Sequence, residues 1–300
     1  MKQSIKILSA FMALLLIASS AVLAVSAKTI YELYGYSYTI LNNTSLSLCG
    51  WDNSSPELIV PDAIMGRYFT EIESRAFQGN TEITSLDLTQ TSRLNFIGFY
   101  TFEGCSNISS DLIIPETVTT IREGAFKNCS SLPSVVINAA VTEIQRESFN
   151  NCTNLQTAVL PETVETIGIL AFGNCTNLSR VDIPKSVSSI AQSAFYNDPN
   201  LTLGVWYGTY GYEYAKEQNI PYILLDEVKL GDVNGDDTVS IYDVTQIQRH
   251  LAEYETLQGI YGYVADVNGD GFIDINDATT LQMYLAEYDI PYPIGEVLTQ

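Results

Sequence analysis

The run Ile121-Arg-Glu-Gly-Ala-Phe126-Lys-Asn-Cys129-Ser-Ser-Leu132-Pro-Ser-Val135-Val-Ile137 decides the reading of most of this 300-residue chain, because its pattern returns at a nearly fixed interval. Phe recurs at 77, 102, 126, 149, 172 and 195, in steps of 25, 24, 23, 23 and 23. Ile stands five residues before each Phe, at 72, 97, 121, 144, 167 and 190, and Ile or Leu six residues after it, at 83, 108, 132, 155, 178 and 201. Pro115, Pro161 and Pro184 lie eleven residues before the Phe of their repeats, a place that Asn138 takes in another. A unit of this size has an apolar face too small to bury alone, so units must stack into one continuous core. The period predicts a solenoid with one short strand per turn, near Leu132–Ile137.

The I-P and A-F-x-N-C phasing resembles the BspA-type leucine-rich repeat of bacterial surface and secreted proteins, and the resemblance spans 58–203. The flanks, aromatic-rich 28–57 and Tyr-rich 204–228, lack the repeat and are expected to be its N- and C-terminal caps, the latter with a short helix near Tyr212–Gln218. Strand alternation predicts an outward face holding Asp87, Ser134, Val136, Thr157, Val159, Arg180 and Asp182. That face has no aromatic stripe, which favours a protein or peptide ligand over flat sugar rings. The alternative is a carbohydrate patch on the cap, at Trp206, Tyr207, Tyr210, Tyr212 and Tyr214. Cys105, Cys129, Cys152 and Cys175 each follow a repeat Phe by three residues, with Cys49 in the N-terminal cap. Residues of one phase stack on successive turns, so the four read as small buried hydrophobes; disulfides between neighbouring rungs are the alternative.

A second, shorter repeat occupies 232–288. Asp232-Val-Asn234-Gly-Asp236-Asp-Thr238-Val-Ser240-Ile-Tyr-Asp243 is matched 34 residues later by Asp266-Val-Asn268-Gly-Asp270-Gly-Phe272-Ile-Asp274-Ile-Asn-Asp277. Including the helical runs that follow, 13 of 23 aligned positions are identical. Calcium takes six to eight oxygens, and a 12-residue loop supplies them from positions 1, 3, 5, 7, 9 and 12, the seventh through its backbone carbonyl. This spacing assigns Asp232, Asn234, Asp236, Thr238, Ser240 and Asp243 to one ion, and Asp266, Asn268, Asp270, Phe272, Asp274 and Asp277 to a second. Both loops close with Asp where the general pattern has Glu, and the usual glycine at position 6 is Asp237 in the first. Asp tolerates a left-handed backbone better than most residues. With three carboxylates against four, the second loop is expected to bind calcium more tightly.

The pair resembles a type I dockerin, covering about 231–289 of a C-terminal domain at 229–300. The resemblance implies a small all-α fold around paired calcium loops, and a cohesin domain of a scaffoldin as partner. It also implies contacts through Ile241, Tyr242, Arg249 and His250 in the first copy, and Ile275, Asn276, Met283 and Tyr284 in the second. Ile241 and Ile275 match, whereas Arg249/Met283 and His250/Tyr284 differ, which argues against two interchangeable binding faces.

Residues 1–27 read as a secretory signal: Lys2 and Lys6, an apolar run Ile7–Val25, then Val25-Ser-Ala27 as a small-residue cleavage site. An uncleaved anchor is the alternative. The net charge is −21, and 231–300 hold thirteen Asp and Glu against Arg249 alone, a surface unsuited to nucleic acid or anionic membrane. The single histidine, His250, lies in the dockerin-like region, so His-dependent triads and zinc-hydrolase motifs are absent, and no Gly-rich phosphate loop occurs. The acids of the array, such as Glu116, Glu143, Glu162, Glu165 and Asp182, recur at repeat phases expected to be solvated. The expectation is an α+β chain, solenoid then all-α module, that is not an enzyme. It would be exported, held in a cellulosome-type complex at the bacterial surface through the scaffoldin, and present its repeat face to a protein or glycan. Alternatives are a carbohydrate-active or carbohydrate-binding subunit, and an adhesin or protease inhibitor.

Overall fold

The computed structural model describes residues 28–257 and 259–298. The signal-like segment lies outside them, and no helix among the described residues is long and apolar enough to cross a membrane. The chain divides into two compact units: one runs to Ser179 and includes Ala191–Asn200, and the other holds Arg180–Ile190 and everything from Leu201 onward.

The first unit opens with antiparallel strands Tyr31–Leu33, Tyr36–Ile40 and Ser45–Trp51, which turn the aromatic N-terminal segment into a cap. Ser45–Trp51 then pairs in parallel with Arg67–Ile72, and the solenoid begins. Each coil contributes two short strands, not the single one expected. One ends at the repeat Ile, so that Ile72, Ile97 and Ile121 pair in register. The other follows the repeat Leu, and Leu112, Val135 and Ala158 align across Leu112–Ile114, Ser134–Ile137 and Thr157–Val159. Side chains alternate as expected: Val135 and Ala158 are buried while Ser134, Val136 and Thr157 are partly or fully exposed, with Val159 53% exposed. Ile113 adjoins Val136 on the same outer face.

Three ladders run through the coils. The six repeat Phe are buried and stack face to face, with ring centroids 5.1–5.5 Å apart and planes within 7° of parallel. Two residues after each Phe the backbone turns left-handed, at Gly79, Gly104, Asn128, Asn151, Asn174 and Asn197, with φ from +60° to +74°. Gly and Asn are the residues that tolerate this region. The asparagines also bond between coils: Asn151 Nδ2 donates to Asn128 Oδ1 at 2.8 Å and Asn197 Nδ2 to Asn174 Oδ1 at 3.0 Å. One residue further on lie the four cysteines, all buried and all free. Each Sγ donates to the carbonyl of the Phe one coil back: Cys105 to Phe77, Cys129 to Phe102, Cys152 to Phe126 and Cys175 to Phe149, at 3.1–3.2 Å. Burial pushes the Cys105 thiol up to about 12 and the Cys129 and Cys152 thiols well above their ordinary value. They are packing groups, not nucleophiles.

In the last coil this rung is Asp198. Both its carboxylate oxygens are buried, and burial pushes its pKa up to about 7 against the opposing pull of the Cys175 backbone.

The second unit carries parallel strands Arg180–Asp182, Thr202–Val205 and Tyr222–Leu224, with Val181, Leu203 and Tyr222 in register. Helix α1, Tyr210–Glu217, is capped by Thr209, whose side chain accepts from the Tyr212 N–H. Several aromatic residues of this cap are engaged by neighbours, with Tyr214 buried and Tyr210 left 45% exposed. Tyr212 packs on Tyr207 and Tyr222, and the Lys185 ammonium lies 3.9 Å from the Trp206 ring centroid.

Asn151→Ala removes an inter-coil hydrogen bond and places a Cβ-bearing residue without a polar anchor at φ +60°, so it should lower stability by about 1–2 kcal/mol in urea unfolding, with Asn151→Gly recovering part of the loss. Asp198 has a folded pKa above its unfolded one, so its favourable share is full below pH ~4 and is lost as pH rises through about 7. The stability advantage of Asp198→Asn over the wild type should therefore grow between pH 4 and 8, to about 1–3 kcal/mol.

Candidate metal loops and partner faces

After an isolated bridge strand around Lys229, the chain runs through the first loop into helix α2, Ile241–Leu251. It then passes through the short helix α3, Ile260–Ala265, and the second loop into helix α4, Ile275–Leu285. The core is built from equivalent positions of the two copies: Val233 and Val267 in the loops, Val244 and Ala278, and Ile247 and Leu281 on the helices, closed by Leu230, Ala265 and Ile294. Antiparallel pairing of Lys229 with Val297 joins the two ends of this region.

The loops repeat each other atom for atom over most of their bonding. At position 1, Asp232 Oδ1 accepts from the Gly235 and Asp236 N–H groups and Oδ2 from Asp237; Asp266 accepts from Asp270 and Gly271. At position 5, Asp236 Oδ1 accepts from the Thr238 N–H at 3.0 Å, and Asp270 from Phe272 at 2.9 Å. Bonds from Thr238 and Asn234 hold the Asp236 carboxyl below the usual range. At position 12, Asp243 and Asp277 are fully buried and act as latches. Asp243 Oδ1 accepts from Val233 and Asn234, and its Oδ2 from the N-cap Ser240 N–H; Asp277 does the same with Val267, Asn268 and Asp274. Because both are also the third residue of their helices, each completes a capping box that fixes where the helix starts. Burial raises the Asp277 pKa, opposed by these bonds.

The donor set fits a hard, oxygen-seeking cation. Positions 1, 3, 5 and 9 offer only carboxylate, amide or hydroxyl oxygens, and the left-handed turn that the loop needs is present, at φ +69° for Asp237 and +88° for Gly271. Among the described residues no three Asp, Glu, His or Cys side chains are gathered into a cage, so the fit lies in mixed carboxylate, amide and carbonyl donors and not in an acid cluster. Asp243 and Asp277 have most of their lone pairs engaged by the latch.

The residues expected to meet a partner lie at the surface unequally. Ile241 and Tyr242 are 56% and 70% exposed, and Ile275 is 59% exposed with Asn276 beside it. Further along, the copies diverge. Arg249 is ion-paired with Glu255 at 3.1 Å, and His250 Nδ1 accepts from the Leu257 N–H at 3.2 Å, so both are tied to the segment after α2. Their counterparts Met283 and Tyr284 present apolar and aromatic surface instead. The sequence pattern assigns no surface role to the side chains of Phe272, Tyr254 and Tyr288, yet they are among the most exposed aromatics of the region. For Phe272 the signal was available, because a residue chosen for its carbonyl has a side chain free to face solvent.

Residues 70–202 match the BspA type leucine rich repeat region in six copies, and residues 230–286 match the dockerin type I domain. Among solved structures, the chain is similar to a leucine rich repeat protein of T. pallidum, with 25% identity and a TM-score of 0.54 over 59% of this chain and 81% of that one. It is also similar to a leucine rich cell surface protein from Faecalibacterium prausnitzii A2-165, with 22% identity and a TM-score of 0.45 over 61% and 56% of the two chains. No curated protein matches. Both modules are non-catalytic binding units of extracellular or cell-surface proteins, and type I dockerins bind calcium and dock onto cohesins in cellulosome-type complexes. The chain thus carries a BspA-type leucine-rich repeat solenoid and a type I dockerin domain.

Proposed function

We propose that this protein is exported, has no catalytic activity of its own, and docks through its dockerin onto a scaffoldin cohesin to hold its repeat face beside other scaffold-bound proteins. The observation that carries this reading is the duplicated loop and helix, in which Ile241 with Tyr242, and Ile275 with Asn276, stand exposed at the head of helices whose start the loop itself fixes. Two calcium ions are assigned, one per loop. Asp232, Asn234, Asp236, the Thr238 carbonyl and Ser240 hold the first, and Asp266, Asn268, Asp270, the Phe272 carbonyl and Asp274 the second. Asp243 and Asp277 close each loop, as ligands to the extent that their latch bonds yield. When bound, calcium supplies a fixed positive centre that draws loop carbonyls and carboxylates together. The chain's own part is to convert that order into position: the loop ends in the helix cap, and the partner residues follow the cap directly.

The second partner is read from the solenoid. Within the first unit its outer strand face mixes Ser134 and Thr157 with the exposed apolar residues Ile113 and Val159 and half-buried Val136, a composition suited to a protein or peptide ligand. Of the cap aromatics, Trp206, Tyr207 and Tyr212 are engaged by neighbours and Tyr214 is buried, which supports this over the carbohydrate-patch reading. The acidic surface disfavours nucleic acid and anionic membranes as partners.

Calorimetric titration of the full chain with type I cohesins should show calcium-dependent binding that EDTA abolishes and that Asp232→Ala with Asp266→Ala removes. Calcium uptake without binding to any cohesin would reduce the dockerin to a stabilising module and end the docking reading.

A further inference from the structure

The two loops differ in their electrostatic surroundings in a way that the ligand pattern does not contain. Lys229, three residues before the first loop, donates from Nζ to the backbone carbonyl of Asp237 at 2.5 Å, and lies 4.0 Å from Asp237 Oδ1. The peptide it grips lies between ligand positions 5 and 7, at the loop's left-handed turn. Pairing of Lys229 with Val297, and the hydrogen bond from Leu230 N–H to the Glu296 carbonyl, fix its backbone on either side. The Asp237 side chain is 86% exposed against 32% for Lys229, so water screens the carboxylate more than the ammonium. The second loop has neither group: the residues 34 positions on are Tyr263 and Gly271, and a Cβ built on Gly271 meets nothing within 4 Å.

We propose that Lys229 is a counter-charge built onto the first loop, and that it makes the dockerin load calcium in a fixed order, second loop first and first loop last. The inference rests on the two-ion reading above and names the residue that separates the two affinities. The ammonium straps the one non-glycine turn and simultaneously repels the cation the loop is shaped for. A unit charge near a divalent ion, under solvent-like screening, changes affinity by roughly three- to tenfold at low salt. This adds to the difference of three ligand carboxylates against four. Over the calcium range between the two affinities the protein holds one ion, and completion of the first loop becomes the threshold for the face led by Ile241 and Tyr242.

The test is a calcium titration of the full chain labelled with 15N-glycine, following Gly235 for the first loop and Gly269 and Gly271 for the second. In the wild type the second-loop signals should move first. Lys229→Gln, which keeps an N–H donor without the charge, and Lys229→Met should each raise first-loop affinity about three- to tenfold at low salt, leave the second loop unchanged, and lose that advantage in 1 M salt. Movement of Gly235 first, or an unchanged or lowered first-loop affinity in both variants, would overturn the proposal. If neither set of glycines responds to calcium, the two-ion reading itself fails and takes this inference with it; response of both without the expected order defeats the inference alone.

Discussion

The array depends on one contact made over and over: a Phe ring lying flat on the ring one coil away, at 5.1–5.5 Å. A coil of about 23 residues can bury that ring only against its neighbours, so each coil is stable by virtue of the next. The other ladders are consequences of this spacing. Once the rings stack, the residues two and three positions later are brought into register, which lets Asn128 meet Asn151 and lets each cysteine thiol reach a Phe carbonyl one coil back. Asp198 shows the limit of the scheme: it occupies a cysteine's rung at the end of the series, with its carboxylate oxygens buried.

The dockerin solves a different problem with little core. Nine small or medium side chains make its interior, two-thirds of them in pairs related by the 34-residue repeat. Its shape is held as much by carboxylates accepting backbone N–H groups as by burial. Asp243 and Asp277 join the start of a loop to the start of a helix, so loop order and helix position are one variable. That coupling is what makes a cation able to govern a protein-binding face, because the exposed residues begin one position after the N-cap.

The repeat period, the buried Phe, Ile and Cys phases and the outward strand positions were legible in the sequence because they are side-chain choices repeated at a fixed interval. The second strand of each coil was not. After Arg67–Ile72 it is two residues long and made by backbone pairing around an Ile already assigned to the core, so it leaves no alternation to read. In the loops, the spacing of oxygen donors was plain. The latch role of Asp243 and Asp277 was hidden because the same residue type at the same position serves ligand, helix cap and loop closure alike. Lys229 lies outside the motif, and its approach to Asp237 arises from pairing with Val297, a contact across nearly 70 residues.

Different forces hold the two modules: ring stacking and asparagine turns in the array, cation-dependent loop order in the dockerin. Hydrogen exchange of the full chain with calcium and with EDTA tests this most directly. Chelation should release the amides of 230–298 to fast exchange while those of the Phe-centred coils from 70 to 179 keep their protection. Equal protection of 230–298 in both conditions, or a collapse of the coils along with the dockerin, would contradict it.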